Sequence, residues 1–271
     1  MPEFKTLAVS TENRVASIQL NRPDKANAIN ATMWKELKDA FDWVDETPEV
    51  RVAVLSGQGK HFSAGIDFQF LSAIYNEMSE LSEGRRQEHL RQMIIELQDS
   101  VTAIERCRKP VIAAIHGACM GGGLDFITAC DMRYATADAR FSIREVDLAI
   151  VADTGTLQRL PRIIGDGLFR ELAYTGLEFD GEKAHSMGLV NKVFPDQTAL
   201  LVGVGELATD IAAKSPLAIR GIKESLIYSR DHTVAEGLNY VATWNAAIGL
   251  SKDVQEAVAA YLQKRLAEFE D

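Results

Sequence analysis

The sequence is poor in basic residues, and this shortage excludes several classes of partner. Lysine and arginine number 29 against 39 aspartates and glutamates among 271 residues, which gives a formal net charge of -10 at pH 7. Nucleic acids and anionic membrane surfaces are bound by basic surfaces. We therefore expect no nucleic-acid partner and no membrane partner. An anionic small molecule stays possible, because backbone amides and a few lysines can hold phosphate locally.

Long hydrophobic runs and targeting segments are also missing from the sequence. No apolar run reaches the roughly 18 residues that a transmembrane helix needs. The first residues, MPEFKTLAVSTENRV, lack both the apolar core of a signal peptide and the arginine-rich composition of a transit peptide. The last residues, LAEFED, are not a peroxisomal address. These absences predict a cytoplasmic protein.

Cysteine is scarce, and the sequence lacks the spacings of several common functional sites. The three cysteines (Cys107, Cys119 and Cys130) form no CxxC pair, and the five histidines show no metal-ligand spacing. Reduced thiols and no metal site are expected, with Cys119 an inert small residue. The GxGxxG, GxxxxGK[ST] and GxSxG patterns are absent too. Nucleotide-binding loops and a serine-nucleophile site are therefore poor interpretations.

Apolar periodicity predicts an α/β fold followed by helices. Short β-branched or apolar runs alternate with amphipathic segments, and this order favours a layered fold with mostly parallel strands. The predicted strands are 6–10, 14–20, 51–56, 111–115, 132–135, 140–143 and 189–194. The predicted helices are 31–44, 86–106, 156–164, 168–174, 181–186, 200–214, 217–228, 234–250 and 253–269. We expect an α/β catalytic core over residues 1–200 and a helical oligomerisation region over residues 201–271.

Three acidic residues surrounded by small and apolar residues are the main candidates for chemistry. Asp125 directly follows the glycines of HGACMGGGLD, Glu145 follows FSIR, and Asp153 precedes TGTLQRLP. Each also has a structural explanation: a first-turn helix charge, a solvated loop carboxylate and a helix N-cap. Together they suit proton transfer, in which one group accepts a proton and another returns it. Asp131 and Asp147 are nearby competitors.

Two glycine-containing loops could supply backbone N–H groups to a developing negative charge. Gly121-Gly122-Gly123 precedes a predicted helix, and the HFSAGID loop (residues 61–67) follows a buried strand. Each could be a simple turn. If both converge on one carbonyl oxygen, they form an oxyanion hole.

Taken together, these segments resemble the enoyl-CoA hydratase/isomerase family, also called the crotonase family. The resemblance extends over LNRPDKANAIN, HFSAGIDF, KPVIAAIHGACMGGGLDFITACDMRYA, GTLQRLPRIIG and SKDVQEAVAAYLQKR. It implies a spiral of ββα units, a C-terminal helical trimerisation region, and a homotrimer or a homohexamer made of two trimers. It also implies an acyl-CoA thioester substrate, so that CoA belongs to the substrate and no separate cofactor is needed.

The resemblance assigns roles to residues in the two loops. It places the oxyanion hole at the amides of Ala64 and Gly122. Further acyl-CoA contacts that it implies are Lys25, Ala26, Gly65, Ile66, Asp67, Phe68, Gly123 and Lys264, the last from a neighbouring subunit.

The acidic residues single out one branch of the family. Typical hydratases have glutamates at positions 125 and 145 and glycine at position 153. REVDLAIVADTGTLQRLPRIIG instead resembles the Δ3,5-Δ2,4-dienoyl-CoA isomerases of fatty-acid β-oxidation. The resemblance implies proton transfer from C2 to C6, with Asp153 near C2, Glu145 near C6 and Asp125 orienting the pair. The order of Glu145 and Asp153 is not fixed by the sequence.

Two alternatives remain at this point. Hydration of a 2-enoyl-CoA would need a water held between two carboxylates, and aspartate at position 125 is shorter than the usual glutamate. A non-catalytic acyl-CoA-binding or scaffold protein on the same fold is disfavoured by the presence of all three acids.

Overall fold

The computed structural model describes residues 2–271. The strands are β1 Leu7–Glu12, β2 Val15–Leu20, β3 Val52–Gly57, β4 Val111–Ile115, β5 Ala118–Met120, β6 Met132–Thr136, β7 Arg140–Ser142, β8 Phe179–Asp180 and β9 Lys192–Phe194. The helices are α1 Ala31–Glu46, α2 Phe68–Ser79, α3 Glu83–Arg106, α4 Gly122–Ala129, α5 Thr156–Arg159, α6 Pro161–Ile164, α7 Asp166–Thr175, α8 Gly181–Ser186, α9 Gln197–Ala212, α10 Pro216–Arg230, α11 Val234–Ile248 and α12 Lys252–Gln263. Short 3-10 helices span Pro23–Lys25 and Glu145–Leu148.

The larger sheet has the strand order β1-β2-β3-β4-β6-β9. β1 and β2 form an antiparallel hairpin, and the strands from β2 onwards pair in parallel. β3 and β4 are buried along their whole length, which explains their continuous apolar sequences. Because their carboxyl ends lie at the same edge of the sheet, the loops that follow them meet there.

A smaller sheet, β5-β7-β8, extends from that edge. β5 follows β4 after two residues and pairs in parallel with β7, while β7 pairs antiparallel with β8. An isolated bridge between Ser63 and Cys119 attaches the loop after β3 to β5. The second sheet thus brings the HFSAGID loop beside the glycines that precede α4.

Helices cover both faces of the larger sheet. The main core contains the apolar faces of α1, α3 and α4, including Leu37, Phe41, Ile104 and Phe126. On the opposite face, Leu200 and the apolar residues that follow it in α9 pack against β3 and β4. The predicted α/β fold with helices at its C-terminal end is confirmed. The division into residues 1–200 and 201–271 stays a prediction. Helix α9 spans the proposed boundary and packs on the core sheet.

Some predicted elements differ from the structure. The predicted helix 156–164 is two short helices, because Pro161 begins α6 and cannot donate a backbone hydrogen bond. The predicted helix 253–269 is too long: α12 ends at Gln263, and Lys264 has a left-handed backbone with φ 55°. Residues 265–271 turn back instead, and Arg51 donates to the carbonyl of Phe269 at 2.6 Å. Among residues 2–271, no helix has the length and apolar character needed to span a bilayer.

Candidate active site

A cavity of about 430 Å³ lies where the loop after β3, the start of α4 and the segment 144–154 meet. The three acids Asp125, Glu145 and Asp153 all line it. The same wall holds residues that were predicted for the oxyanion hole and for substrate binding: Ala64, Gly65, Ile66, Phe68 and Gly122. Residues up to 28 positions apart in sequence therefore share one cavity, as proton transfer between them requires.

The two glycine-containing loops are tied together by backbone hydrogen bonds. Ser63 N donates to Ala118 O at 2.9 Å, and Met120 N donates to Ser63 O at 3.0 Å. Gly65 has φ +89°, and a Cβ on it would lie only 2.9 Å from Met120 O. Glycine is required there because any side chain would separate the two loops.

The structure corrects the residue predicted to supply the first oxyanion amide. The N–H of Ala64 donates to Ala26 O at 2.9 Å, so it has no capacity left for a substrate oxygen. The N–H of Ile66 makes no hydrogen bond within residues 2–271. Its neighbours do: Gly65 O accepts from Ile29 N, and Asp67 N donates to Ile29 O. Ile66 is therefore the free donor of this loop. Ile66 and Ala26 were both predicted only as acyl-CoA contacts, and Ala26 contributes its carbonyl to the loop.

The second amide predicted for the oxyanion hole, that of Gly122, lies at the start of α4. Gly122 is the first residue of this helix, and the first N–H groups of a helix have no partner within it. The neighbouring N–H of Gly121 is already used, since it donates to Ser142 O at 3.0 Å. A Cβ on Gly122 would lie 2.9 Å from the Ile29 side chain, and one on Gly123 would lie 3.0 Å from Ser63. These glycines let the helix end approach the HFSAGID loop.

Asp125 is the most deeply buried of the three acids, with 1% of its surface exposed. Its Oδ1 accepts a 2.6 Å hydrogen bond from the backbone N–H of Thr156, at the start of α5. Burial raises the pKa of Asp125, and the hydrogen bonds from Thr154 and Thr156 oppose that rise. Asp125 thus holds the segment 153–156 against α4 while its charge acts inside the cavity.

Glu145 begins the short 3-10 helix Glu145–Leu148 and points back toward α4. Its Oε2 is buried and has no hydrogen-bond partner within the described residues. Its Oε1 lies 3.1 Å from the position that a Cβ would take on Gly121. Burial raises the pKa of Glu145 to about 7, and the negative charge of Asp125 adds to the rise. A carboxylic acid with this pKa can donate or accept a proton near neutral pH.

Asp153 precedes Thr154 and Gly155 in the loop that leads into α5. Its backbone carbonyl accepts a 2.7 Å hydrogen bond from Nε2 of Gln98 on α3, which fixes the loop. The residue as a whole is exposed, but its carboxyl group is partly enclosed, and this enclosure raises its pKa. Asp153 is therefore a carboxylate at the cavity wall that retains access to solvent.

The competing acids have other partners. Asp131 pairs with Lys223 at 2.8 Å and accepts from Val111 N at 2.7 Å, and it does not line the cavity. Asp147 lines the cavity but pairs with Arg144 at 3.2 Å and is exposed. Among residues 2–271, no group of histidine, cysteine or acidic side chains is arranged to hold a metal ion.

Of the other predicted acyl-CoA contacts, Phe68 lines the cavity, whereas Lys25, Asp67 and Lys264 do not. Asp67 caps α2 by accepting from Gln69 N, and it pairs with Arg22 at 2.8 Å. Lys25 is exposed on the 3-10 helix before Ala26, and Phe68 is 64% exposed at the start of α2. Lys264 lies in the C-terminal segment, which contacts the opposite end of β3 through Arg51.

Sequence reasoning missed Trp34 as a cavity residue. Trp34 was not singled out within the amphipathic helix α1, but its indole lines the cavity and packs edge-on against Phe126 with ring centroids 5.2 Å apart. Its Nε1 is buried without a partner in the described part of the chain. An unusually bulky residue at the core side of α1 is the only sequence signal for this position.

A sequence profile described as enoyl-CoA hydratase/isomerase matches residues 10–271. The chain belongs to the enoyl-CoA hydratase/isomerase family. One relative, the peroxisomal Delta(3,5)-Delta(2,4)-dienoyl-CoA isomerase of Arabidopsis thaliana, is 50% identical, with 99% of this chain and 98% of the relative covered. The mitochondrial enzyme of that name from Homo sapiens is 43% identical, with 97% and 80% covered.

Solved structures of family members share the fold. The enoyl-CoA hydratase of Bacillus anthracis superposes with a TM-score of 0.88 at 31% identity, covering 98% of this chain and 99% of that one. The predicted crotonase-like fold is therefore confirmed. The predicted cytoplasmic location is wrong, because the two isomerase relatives are named as peroxisomal and mitochondrial proteins. The lack of a recognisable address in the sequence was a poor guide to location.

Proposed function

We propose that this protein is a Δ3,5-Δ2,4-dienoyl-CoA isomerase of fatty-acid β-oxidation. The observation that carries the proposal is the presence of Asp153 in the same cavity as Glu145 and Asp125. The names of the relatives from Arabidopsis thaliana and Homo sapiens support it independently. The reaction moves two double bonds along one chain, so it needs a base at one carbon and an acid four carbons away.

The thioester oxygen is bound by the N–H groups of Ile66 and Gly122. Both N–H groups are free of protein partners in the described residues, and both residues line the cavity. When a proton leaves C2, negative charge develops on this oxygen and spreads through the dienolate to C6. Hydrogen bonds to the oxygen stabilise that charge, and one such donor typically contributes a factor of about 10²–10³ in rate.

The carboxyl groups carry the proton transfers. Asp153, as a carboxylate, removes the proton from C2. Glu145, whose pKa is about 7, donates its proton to C6. Asp125 touches neither carbon in this scheme: it holds the loop of Asp153 through Thr156, and its charge adds to the rise that burial causes in the pKa of Glu145.

CoA is part of the substrate in this proposal, and no separate cofactor is used. The proposed CoA contacts at the mouth are the loop residues Gly65, Asp67 and Phe68, with Lys25 and Ala26 beside them. Gly123 supports the loop through its close packing on Ser63. Lys264 lies apart from the cavity of its own chain, so its contact would come from a neighbouring subunit.

A homotrimer or a homohexamer belongs to the same proposal. The C-terminal helices expose large apolar side chains, among them Leu238 on α11 and Tyr261 and Leu262 on α12, which are 65%, 83% and 73% exposed. Association between subunits would remove this surface from water. Light scattering on the purified protein tests the assembly: three or six copies support it, and a monomer contradicts it.

The activity is tested by incubating the protein separately with 3,5-dienoyl-CoA and with crotonyl-CoA. We expect conjugated 2,4-dienoyl absorbance to grow with the first substrate. Efficient formation of 3-hydroxyacyl-CoA from crotonyl-CoA, without isomerisation of the dienoyl substrate, would instead identify a hydratase. Binding of both thioesters without turnover would indicate a binding protein.

A further inference from the structure

A second cavity, of about 580 Å³, lies on the other side of the loop that carries Asp153. Asp153 and Thr154 line both this cavity and the active-site cavity. The second cavity is bounded by α3, the end of α4, α5 and the end of α10, and we call it the polar cavity. Asp153 therefore stands between two separate spaces.

The polar cavity has the character of a water-filled passage. Its walls carry charged side chains, including Arg159, which pairs with Glu105 at 3.1 Å, and Arg162, which pairs with Asp231 at 3.1 Å. The Nε of Arg159 is buried without a partner in residues 2–271 and is available to a water molecule. Gln158 and Arg162 are exposed where the cavity reaches the surface. A polar cavity much larger than the roughly 30 Å³ that one water occupies in the liquid can hold several.

Glu145 has no such passage. It lines the active-site cavity but not the polar cavity. Its Oε2 is buried, and its Oε1 faces the backbone of Gly121. An acyl chain that filled the active-site cavity would cover Glu145, whereas Asp153 would still border the polar cavity. The two acids thus differ in their access to water during the reaction.

We propose that Asp153 releases the hydrogen taken from C2 to water through the polar cavity, so that the hydrogen added at C6 comes from solvent. This inference rests on the proposed isomerase activity. In each turnover the C2–H bond breaks as an Asp153 O–H bond forms, and the Glu145 O–H bond breaks as the C6–H bond forms. Asp153 then gives its proton to water in the polar cavity. Glu145 regains one from water after the product leaves, which restores both groups.

The competing route is a direct return of the proton from Asp153 to Glu145 inside the closed site. That route would carry the original C2 hydrogen to C6 over repeated turnovers. The two routes therefore differ in the origin of one hydrogen atom in the product.

Isotope labelling distinguishes the routes. The intact protein is given 3,5-dienoyl-CoA with both C2 hydrogens replaced by deuterium, in ordinary water, and the product is analysed by mass spectrometry and NMR. We expect 2,4-dienoyl-CoA without deuterium at C6. Deuterium at C6 would overturn the inference while leaving the isomerase function intact. Failure to form any 2,4-dienoyl-CoA would count against the proposed function itself.

A variant tests whether the polar cavity is the passage. In Gln158→Phe, a larger apolar side chain stands at the opening of the polar cavity, outside the active-site cavity. We expect kcat to fall severalfold with KM unchanged, or deuterium to appear at C6, because Asp153 discharges more slowly. Gln87→Phe, which adds the same side chain at an exposed position on α3, is the control and should leave kcat unchanged. Wild-type kcat and a deuterium-free C6 in Gln158→Phe would show that the polar cavity is not the route.

Discussion

The backbone N–H of Thr156 donates a 2.6 Å hydrogen bond to Oδ1 of Asp125, and this bond joins the start of α5 to α4. The loop just before Thr156 carries Asp153, and the cavity opposite holds Glu145. Asp125 is thus placed to position one proposed catalytic acid, Asp153, and is an electrostatic neighbour of the other, Glu145. Its replacement by asparagine or by alanine separates these two effects.

Asp125→Asn should shift the pH dependence of kcat while keeping the fold. Asparagine can still accept the Thr156 hydrogen bond through its side-chain oxygen, but it carries no charge. Without the repulsion from Asp125, the pKa of Glu145 falls below about 7, and the loss of its acid form occurs at lower pH. The measurement is a kcat–pH profile, in which the alkaline limb moves to lower pH. An unmoved limb would mean that Asp125 has no electrostatic effect on Glu145.

Asp125→Ala removes both the charge and the acceptor of the Thr156 bond. We expect a lower Tm in addition to the shifted profile, because a buried N–H left without a partner costs about 1–3 kcal/mol. Equal Tm values for the alanine and asparagine variants would contradict the positioning role.

Gly121→Ala should displace Glu145. Gly121 has φ +47°, and the added Cβ would lie 3.1 Å from Oε1 of Glu145. A non-glycine residue in a disfavoured backbone conformation costs about 1–3 kcal/mol. We expect a loss of that size in urea unfolding and a fall in kcat of at least about tenfold, as general acid catalysis contributes about 10²–10⁴-fold.

The control for this substitution is Gly84→Ala in α3, where a Cβ would meet no atom within 4 Å. Alanine at a helical position without contacts should leave kcat unchanged and should not destabilise the protein. An active Gly121→Ala protein would show that the position of Glu145 against α4 is not needed.

Glu145→Gln should change how stability depends on pH. The pKa of Glu145 is about 7 in the folded protein and 4.5 ordinarily, so the folded state binds more protons between these values. The free energy of unfolding of the wild type therefore falls as the pH rises through that window. The variant lacks this loss. Its free energy of unfolding relative to that of the wild type should therefore be higher at pH 8 than at pH 4, by at most about 3 kcal/mol. Urea unfolding of both proteins at pH 4 and pH 8 checks this. A stability difference between Glu145→Gln and the wild type that is the same at both pH values would contradict the raised pKa.

The identity of the first oxyanion donor can be tested by replacing single backbone N–H groups with ester oxygens. An ester at Ile66 should lower kcat by about 10²–10³-fold, the usual effect of losing one such donor. An ester at Ala64 removes only the bond to Ala26 O, so it should affect stability more than kcat. A larger loss of kcat from the ester at Ala64 than from the ester at Ile66 would instead identify Ala64 as the oxyanion donor.

Much of the fold followed from apolar patterning, and its failures have physical reasons. The strand Val111–Ile115 and helix Gly181–Ser186 have the predicted bounds, since a buried run and clear capping residues mark them. No element was predicted for residues 72–85, yet α2 covers the first part of this stretch and α3 begins in it at Glu83. Met78 is the only buried residue in α2, and the polar and acidic residues that follow it obscure the helical spacing of Leu71, Ile74 and Met78. β5 and β8 have three and two residues, too few for a pattern.

The site was predictable in its residue types but not in one atomic detail. The positions of Asp125, Glu145 and Asp153 in the chain indicated a shared cavity. The choice between the amides of Ala64 and Ile66 depends on where the carbonyl of Ala26 points. Ala26 has a left-handed backbone with φ 49°, which nothing in the NRPDKANAIN sequence specifies. Long-range pairing of this kind is decided by tertiary structure.

Asp153 is the proposed base on which the assignment of dienoyl-CoA isomerase activity depends. The most direct test is the rate of 2,4-dienoyl-CoA formation by Asp153→Asn, with binding of the thioester measured separately. Asp147→Asn is the matched control, since Asp147 lines the same cavity but pairs with Arg144. We predict that Asp153→Asn binds the thioester normally and isomerises it at least about 10²-fold more slowly, while Asp147→Asn stays close to wild type. Wild-type turnover by Asp153→Asn would contradict the account.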